Sequence, residues 1–268
     1  MGGHRVGRTA SRVARRGRQP PLPALRAGFT IEGIARDDIE ARDGSRRDAW
    51  VGSLLPRDLD RAAPIVGTVE TRRAAVFSRP QPVLFAGTPT GEIRLRPLEE
   101  RDLDAVLAAA RDPDTTRWIS LPDPYRREDG ENFVREHAPG VWRRGTGAVF
   151  AIGDPRDDAY SGVIELRLDA RRPAVGDVGF LVAPRARGRG FAPAALAAVS
   201  AWGFTALHLH RVSWFAYVGN EASRRVAEKA GFTIEGTARG LLTHHGERVD
   251  AWTGGLLASD EPYGRGTP

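Results

Sequence analysis

The chain of 268 residues has no cysteine. That excludes a disulfide framework, a thiol nucleophile and any thiolate metal site. Lysine is nearly absent as well: Lys229 is the only one, so almost all positive charge is arginine. No apolar run approaches the ~20 residues a membrane-crossing helix needs. The arginine-rich beginning lacks the apolar segment of a secretory signal. A cytoplasmic, soluble protein is the default expectation. The formal net charge of +6 invites a nucleic-acid reading. Yet the arginines alternate with acids, as in ARDDIEARDGSRRDAW and PLEERDLD, which is the pattern of a solvated mixed surface. Neither a zinc-finger spacing nor an RNA-recognition aromatic motif is present. The histidines His208, His210, His244 and His245 form no metal-ligand pattern with carboxylates, so no metal is expected.

What is present centres on residues 176–206, GDVGFLVAPRARGRGFAPAALAAVSAWGFTA. This reads as a strand, a turn rich in Arg and Gly, and a helix. Val178, Phe180 and Val182 alternate on one face of the strand. After Asp177 the other face carries no charge, so the strand is expected to be buried on both sides. Ala192, Ala195, Leu196, Val199 and Trp202 recur at helical spacing, with Pro193 in the first turn, where a missing N–H costs nothing. Gly188 and Gly190 permit a sharp bend and close approach of a ligand. The amides of Arg187, Gly188, Arg189, Gly190, Phe191 and Ala192 would then face the open end of a helix, a ready anion site. Arg185, Arg187 and Arg189 are expected to add positive charge around it. The pattern is neither GxxxxGK[ST] nor GxGxxG, which disfavours a P-loop and a dinucleotide fold. The expected ligand is a phosphate or pyrophosphate.

Further along come HRVSWFAYVGNEASRRVAEKAGFTIEGTARG: an apolar strand, an Asn-headed helix and a Gly-Phe entry to a last hairpin. The order Arg185-x-x-Gly188-x-Gly190, Asn220-x-x-Ser223, Ala230-Gly231-Phe232, Glu235-Gly236 resembles the GNAT family of acetyl-CoA-dependent N-acetyltransferases. Within it, the resemblance is to the branch of ribosomal-protein N-terminal acetyltransferases, over roughly residues 91–258. It implies an α/β (α+β) fold, with a mixed central sheet of about six to seven strands and about four flanking helices. It also implies acetyl transfer from acetyl-CoA to a primary amine, a protein N-terminus or a small molecule, by direct attack. No covalent enzyme intermediate is needed, in keeping with the missing cysteine.

By the same resemblance the pyrophosphate sits on the turn at 187–192. The pantetheine arm lies along the preceding strand, and the acetyl carbonyl meets a backbone amide near Leu181 and Val182. Asn220 corresponds to the asparagine that bonds the pantetheine arm, although a plain helix N-cap accounts for it equally. Ser223 corresponds to the hydroxyl that some members place near the cofactor sulfur as proton donor; a first-turn serine satisfying the backbone is the alternative. Other branches use a tyrosine in this helix, and none lies between Asn220 and Gly231, which leaves Tyr217 as a fallback. Glu165, in GVIELR, is the candidate general base, acting through a water; exposure to solvent or pairing with Arg167 is the competing reading. Asp177 is a lesser candidate. Trp118, Tyr125, Phe133 and Trp142 are expected to line the acceptor pocket, each also explicable as core. A monomer or homodimer fits, with no nucleic-acid or membrane partner. A catalytically silent acetyl-CoA sensor would share every cofactor residue. An arginine-based RNA binder would show a steep salt dependence.

The rest of the chain divides by composition. Residues 1–26 read as disordered, with a short helical turn at Ser11–Arg16. Residues 27–58 repeat the chain's own end: Gly28-Phe29-Thr30-Ile31-Glu32-Gly33 matches Gly231-Phe232-Thr233-Ile234-Glu235-Gly236, and Asp48-Ala49-Trp50 matches Asp250-Ala251-Trp252. This resembles the final hairpin of a second GNAT domain without its phosphate turn. An isolated hairpin is marginal, so it either docks on the complete domain or marks a chain that begins inside a longer tandem protein; the second is the expectation. Ala10-Ser11-Arg12-Val13-Ala14 faintly echoes the helix after Asn220. Residues 59–90 read as a linker with a short strand near Val83–Phe85, residues 91–258 as the complete domain, and residues 259–268 as a disordered tail. A helix is expected over 126–144, broken near Pro139-Gly140.

Overall fold

The structure, a computed structural model, describes residues 9–14, 29–40, 45–54, 69–170 and 172–260. The disorder expected over most of 1–26 and in the tail from 261, and the linker over 59–68, lie outside the described residues. The chain forms two compact units, residues 1–68 and 69–268.

The first unit is a three-stranded antiparallel sheet. Strands β2 (Thr30–Glu40) and β3 (Arg46–Leu54) form the hairpin read from the repeat. The expected helical turn at Ser11–Arg16 is instead strand β1 (Thr9–Ala14), paired along β3. TASRVA carries β-branched Thr9 and Val13, four residues apart, and a third strand stabilises a hairpin that is marginal alone.

The second unit holds one sheet of eight strands in the order β10-β11-β9-β8-β7-β6-β5-β4. These are β4 (Leu84–Thr88), β5 (Gly91–Arg96), β6 (Gly147–Gly153), β7 (Tyr160–Leu168), β8 (Val175–Val182), β9 (Arg211–Tyr217), β10 (Thr233–His244) and β11 (Glu247–Leu257). Every pairing is antiparallel except β8 with β9. The sheet exceeds the expected six to seven strands because part of the supposed linker belongs to it. Helix α1 (Val69–Phe77) and β4 both lie within 59–90. The short strand expected near Val83–Phe85 is β4, and Pro80, Pro82 and Pro89 punctuate this edge strand, where proline is tolerated; the helix was not expected.

The repeat extends to the ladder itself. Thr30↔Ser53, Ile31↔Gly52, Gly33↔Val51, Ile34↔Trp50 and Ala35↔Ala49 reproduce Thr233↔Gly255, Ile234↔Gly254, Gly236↔Thr253, Thr237↔Trp252 and Ala238↔Ala251. Both hairpins shift register at the same two places. β1 pairs with β3 as β9 pairs with β11: Ala14↔Ala49 beside Tyr217↔Ala251. The counterpart of residues 10–14 is therefore a strand, not the helix after Asn220.

Sheet and helices bury a continuous core. The phosphate-turn helix is α6 (Phe191–Ala206); its Ala195, Leu196 and Val199 pack against Phe150, Ile164, Leu166, Val178 and Trp214. On the opposite face, α2 (Leu103–Ala110), followed by the short α3 (Pro113–Trp118), contributes Leu103, Val106 and Leu107 to a second cluster with Val134, Ala151 and Tyr160. Arg96, buried in β5, is held by Asp102 at 2.7 and 2.8 Å and by Asp158 at 3.0 Å. Removing one partner of such a pair costs about 3–5 kcal/mol. The helix expected over 126–144 is present as α4 (Arg127–Asn132) and α5 (Ala138–Arg143), joined by a wider π turn at Phe133–His137. The irregularity thus precedes Pro139 rather than falling on it. Proline has no amide to donate and its ring crowds the preceding turn.

Candidate active site: a wedge between two parallel strands

The site begins with a parting of strands. β8 and β9 pair only from Val175↔Arg211 to Val178↔Trp214. β8 then stays with β7 as far as Val182↔Gly162, while β9 stays with β11 as far as Tyr217↔Ala251. A wedge opens between Gly179–Val182 and Phe215–Tyr217. This overturns the expectation of burial on both sides: residues 179–182 are only half-buried. Strand alternation fixes which backbone groups face the gap. Ala183 donates its amide to Ser161 O at 2.9 Å. The amides of Leu181 and Gly179 therefore also face β7, and those of Phe180 and Val182 face the wedge. Of the expected pair, Leu181 keeps its place in the wall but its amide turns away.

The wedge leads to the turn. Gly188 has φ 75° and Gly190 φ 80°, the left-handed region that glycine occupies without strain. A side chain at Gly188 would enter open space, whereas one at Gly190 would meet Pro89 Cδ at 3.2 Å. Gly190 caps the sixteen residues of α6, whose first amides lack intrahelical partners. The arginines do not crowd this anion site as expected. Arg187 bonds Asp112 and, at 3.0 Å, Asp114; Arg189 bonds Asp154; Arg185 donates to Tyr160 O at 2.6 Å. Arg156, with Arg189, holds the Asp154 carboxyl well below the usual carboxylate range. Arg189 also lies over the Phe191 ring at 4.4 Å and is not among the residues that line the cleft.

One cleft of about 930 Å³ contains Leu181, Val182, Arg187, Gly188, Gly190, Phe191, Ala192, Asn220 and Ser223. Glu165, Asp177, Trp118, Tyr125 and Phe133 line it too. Trp142 does not. It sits in the core between Phe77 and Trp202, and its Nε1 donates to Arg79 O at 2.9 Å. Asn220 caps α7 (Glu221–Lys229), accepting the Ser223 amide at 3.1 Å. Its side-chain NH₂ has no partner among the described residues. Ser223 Oγ accepts from Trp214 Nε1 at 3.1 Å, which leaves the hydroxyl proton to donate. Tyr217 faces the cleft, but its hydroxyl donates to Thr243 O at 3.0 Å, so the fallback donor is already engaged.

Glu165 stands at the apex, directly across from Gly179. Its Oε1 lies 3.3 Å from His137 Nε2 and its Oε2 accepts from Arg167 Nη1 at 3.4 Å. Arg167 in turn donates through Nε to Asp177 at 2.9 Å. The absent side chain of Gly179 makes room for that guanidinium, 3.1 Å from where a Cβ would stand. His137 occupies the π turn and stacks on Phe133 at 5.5 Å. Its contact with Glu165 depends on the wider π turn and has no signal in the sequence. Among the described residues no cluster of side chains suits a metal ion.

A parted pair of parallel strands, a glycine turn opening a helix and a carboxylate at the apex make an α/β scaffold of the acyltransferase kind. The Acetyltransferase (GNAT) domain profile matches residues 92–233, more than half of the chain, and the protein belongs to the GNAT acetyltransferase family. The Bacillus subtilis N-acetyltransferase YoaA is 25% identical over 167 residues, 62% of this chain and 94% of YoaA. The Escherichia coli L-amino acid N-acetyltransferase AaaT is 28% identical over 162 residues, 60% of this chain and 95% of AaaT. Mycobacterium smegmatis RimJ, solved in complex with CoA-disulfide, shares the fold with a TM-score of 0.61 at 24% identity, over 68% of this chain and 90% of RimJ.

Proposed function

We propose that this protein transfers an acetyl group from acetyl-CoA to a primary amine, a protein N-terminus or a small-molecule amine, by direct attack. The carrying observation is that a strand wedge with inward amides and an αL-glycine helix mouth share one cleft. The residues suit such a donor. The amides at the start of α6 take the pyrophosphate, and the Phe180 and Val182 edge pairs with the amide-bearing pantetheine arm. When bound, acetyl-CoA supplies an activated thioester. A wedge amide stabilises the charge that grows on the acetyl oxygen. Glu165 accepts the amine proton directly or through one water, and Ser223 donates its free hydroxyl proton to the departing sulfur. Asn220 presents its unpartnered NH₂ to the arm while its oxygen caps α7. Carboxylates at Glu165 and Asp177 favour a cationic amine, and Trp118, Tyr125 and Phe133 wall its apolar remainder.

The experiment is thermal unfolding with and without saturating acetyl-CoA, beside Gly188→Asp. Ligand at ~100 times its dissociation constant adds about 2.7 kcal/mol, a rise of roughly 5–10 °C for a unit this size. Gly188 is preferred to Gly190 because its replacement enters open space and adds a repelling charge without touching Pro89. A rise lost in Gly188→Asp supports the reading, and release of CoA thiol with an amine panel then identifies the acceptor. No rise in the unmodified protein defeats it. Residues 27–58 fit best as a partial duplicate of the domain's last hairpin, since the two ladders coincide at both register shifts.

A further inference from the structure

Glu165 is held by two partners, and only one of them can take a proton. Arg167 Nη1 donates to Oε2 at 3.4 Å, and His137 Nε2 lies 3.3 Å from Oε1. A guanidinium has no lone pair to accept with, whereas a neutral imidazole has one. The two also stand differently toward the cleft. Arg167 lines it beside Glu165, but His137 does not. Yet the His137 side chain is 41% exposed against 19% for Glu165, so its open edge meets solvent outside the cleft. Phe133, which does line the cleft, stacks on the imidazole with 16° between the planes and fixes the ring. The other charges around His137 are engaged with one another. Glu136 pairs with Arg143 at 3.7 Å, Arg135 with Glu100 and with Glu131, and Arg167 with Asp177. Strand β6, packed against α5 beside it, reads GAVFAIG and carries no titratable side chain. Glu165 is thus the titratable group that His137 faces.

We infer that His137 is the proton exit of the site: it takes the proton that Glu165 removes from the amine and delivers it to water outside the cleft. This rests on the acetyl-transfer reading and deepens it. A primary amine, with a pKa of about 8 to 10, arrives at neutral pH as an ammonium ion. Its nitrogen loses two protons as the C–N bond forms and the thioester C–S bond breaks. One of them replaces the proton that Ser223 gives to the sulfur. The other, taken by Glu165, is surplus and must leave the site at every turnover. With donor and acceptor in the cleft, the front of Glu165 is occupied, and Arg167 cannot relay. His137 Nε2 accepts the proton, Glu165 returns to a carboxylate, and the imidazolium sheds one proton to water. His137 touches no reacting atom and acts through Glu165, by restoring the base.

The experiment measures kcat in dilute buffer for the full chain, His137→Gln and His137→Ala, with an amine that the unmodified protein acetylates, and titrates each with acetyl-CoA. Glutamine keeps a hydrogen bond to Glu165 but carries no proton onward, and alanine leaves room for free imidazole. Both variants should lose about tenfold or more in kcat, part of the 10²–10⁴-fold that an acid–base step contributes. Their acetyl-CoA affinity should stay within twofold, which also verifies that they fold. Added imidazole should restore His137→Ala several-fold and leave Glu165→Gln unmoved. A near-normal kcat in His137→Gln beside a slow His137→Ala would overturn the exit, since a hydrogen bond that holds Glu165 would then suffice. So would an unchanged kcat in both variants, or imidazole that restores nothing. A normal kcat in Glu165→Gln would remove the base that His137 serves, and the exit with it. No binding of acetyl-CoA by the unmodified protein would overturn the donor reading itself.

Discussion

Glu165 shows how one residue acquires a role from its surroundings. On β7 its side chain shares a face with Arg167, and the register places it across from Gly179, whose missing side chain keeps the apex open. Its two oxygens are oriented by different partners, His137 and Arg167. It pairs with Arg167, as one reading of the sequence has it, and it also lines the cleft. Replacing it tests the base role. Glu165→Gln keeps the size and a hydrogen-bonding oxygen but cannot take a proton. The expected result is a fall in kcat of roughly 10²–10⁴-fold, with acetyl-CoA affinity unchanged by titration. A kcat within about threefold of normal would move the base elsewhere, Asp177 being next in line.

At the scale of elements, α7 is closed by one side chain with a second group to spare. Asn220 caps the helix through its oxygen, and its NH₂ has no partner among the described residues. Two substitutions pull these apart. Asn220→Ala loses the cap, at a cost of about 1 kcal/mol, and should also weaken coenzyme A. Asn220→Asp keeps an acceptor at the cap but has no N–H to donate. Its unfolding temperature should stay near normal while coenzyme A affinity falls several-fold. Matching losses in both variants would mean that the cap alone matters. The wedge is a second effect at this scale. Apolar alternation in GDVGFLV announces a strand, and Val178, Phe180 and Val182 do pack together on the α6 face. The sequence of one strand does not say where its neighbour leaves it, so the half-exposed stretch at 179–182 could not be read from it.

At the scale of the molecule, the buried clusters of the second unit draw their fully buried residues from Ile93 onward, with Val76 and Phe77 at their margin. Every residue described in these clusters belongs to the second unit itself. A chain of residues 69–268 is therefore expected to unfold cooperatively at a temperature within a few degrees of the full chain and to bind acetyl-CoA within twofold. Circular dichroism melting and titration check this. A collapse of either would make the first unit part of the domain's framework and would remove the partial-duplicate reading. Cutting at residue 91, the boundary read from composition, would instead delete α1 and β4. That would strip Leu84 and Ala86 from the margin of the core, expose Trp142 where Phe77 covers it, and leave Leu207 O without the Arg73 guanidinium that donates to it.

Much of this protein is legible in one dimension, because its signals are local. The order of glycine turn, Asn-x-x-Ser helix and Gly-Phe hairpin identifies the family, since backbone conformation and helix capping are decided within a few residues. The repeated hairpin is visible for the same reason, down to its aligned tryptophans. Tertiary structure decided everything that depends on what lies opposite. It directed Arg187 and Arg189 to acids 75 and 35 residues away in the chain, leaving the anion site to the backbone. It sent Trp142 into the core, brought His137 to Glu165 and joined the short strand at Leu84–Thr88 to the edge of the main sheet. Charge pairing and strand divergence are long-range matters, set by which surfaces meet, and no spacing along the chain encodes them.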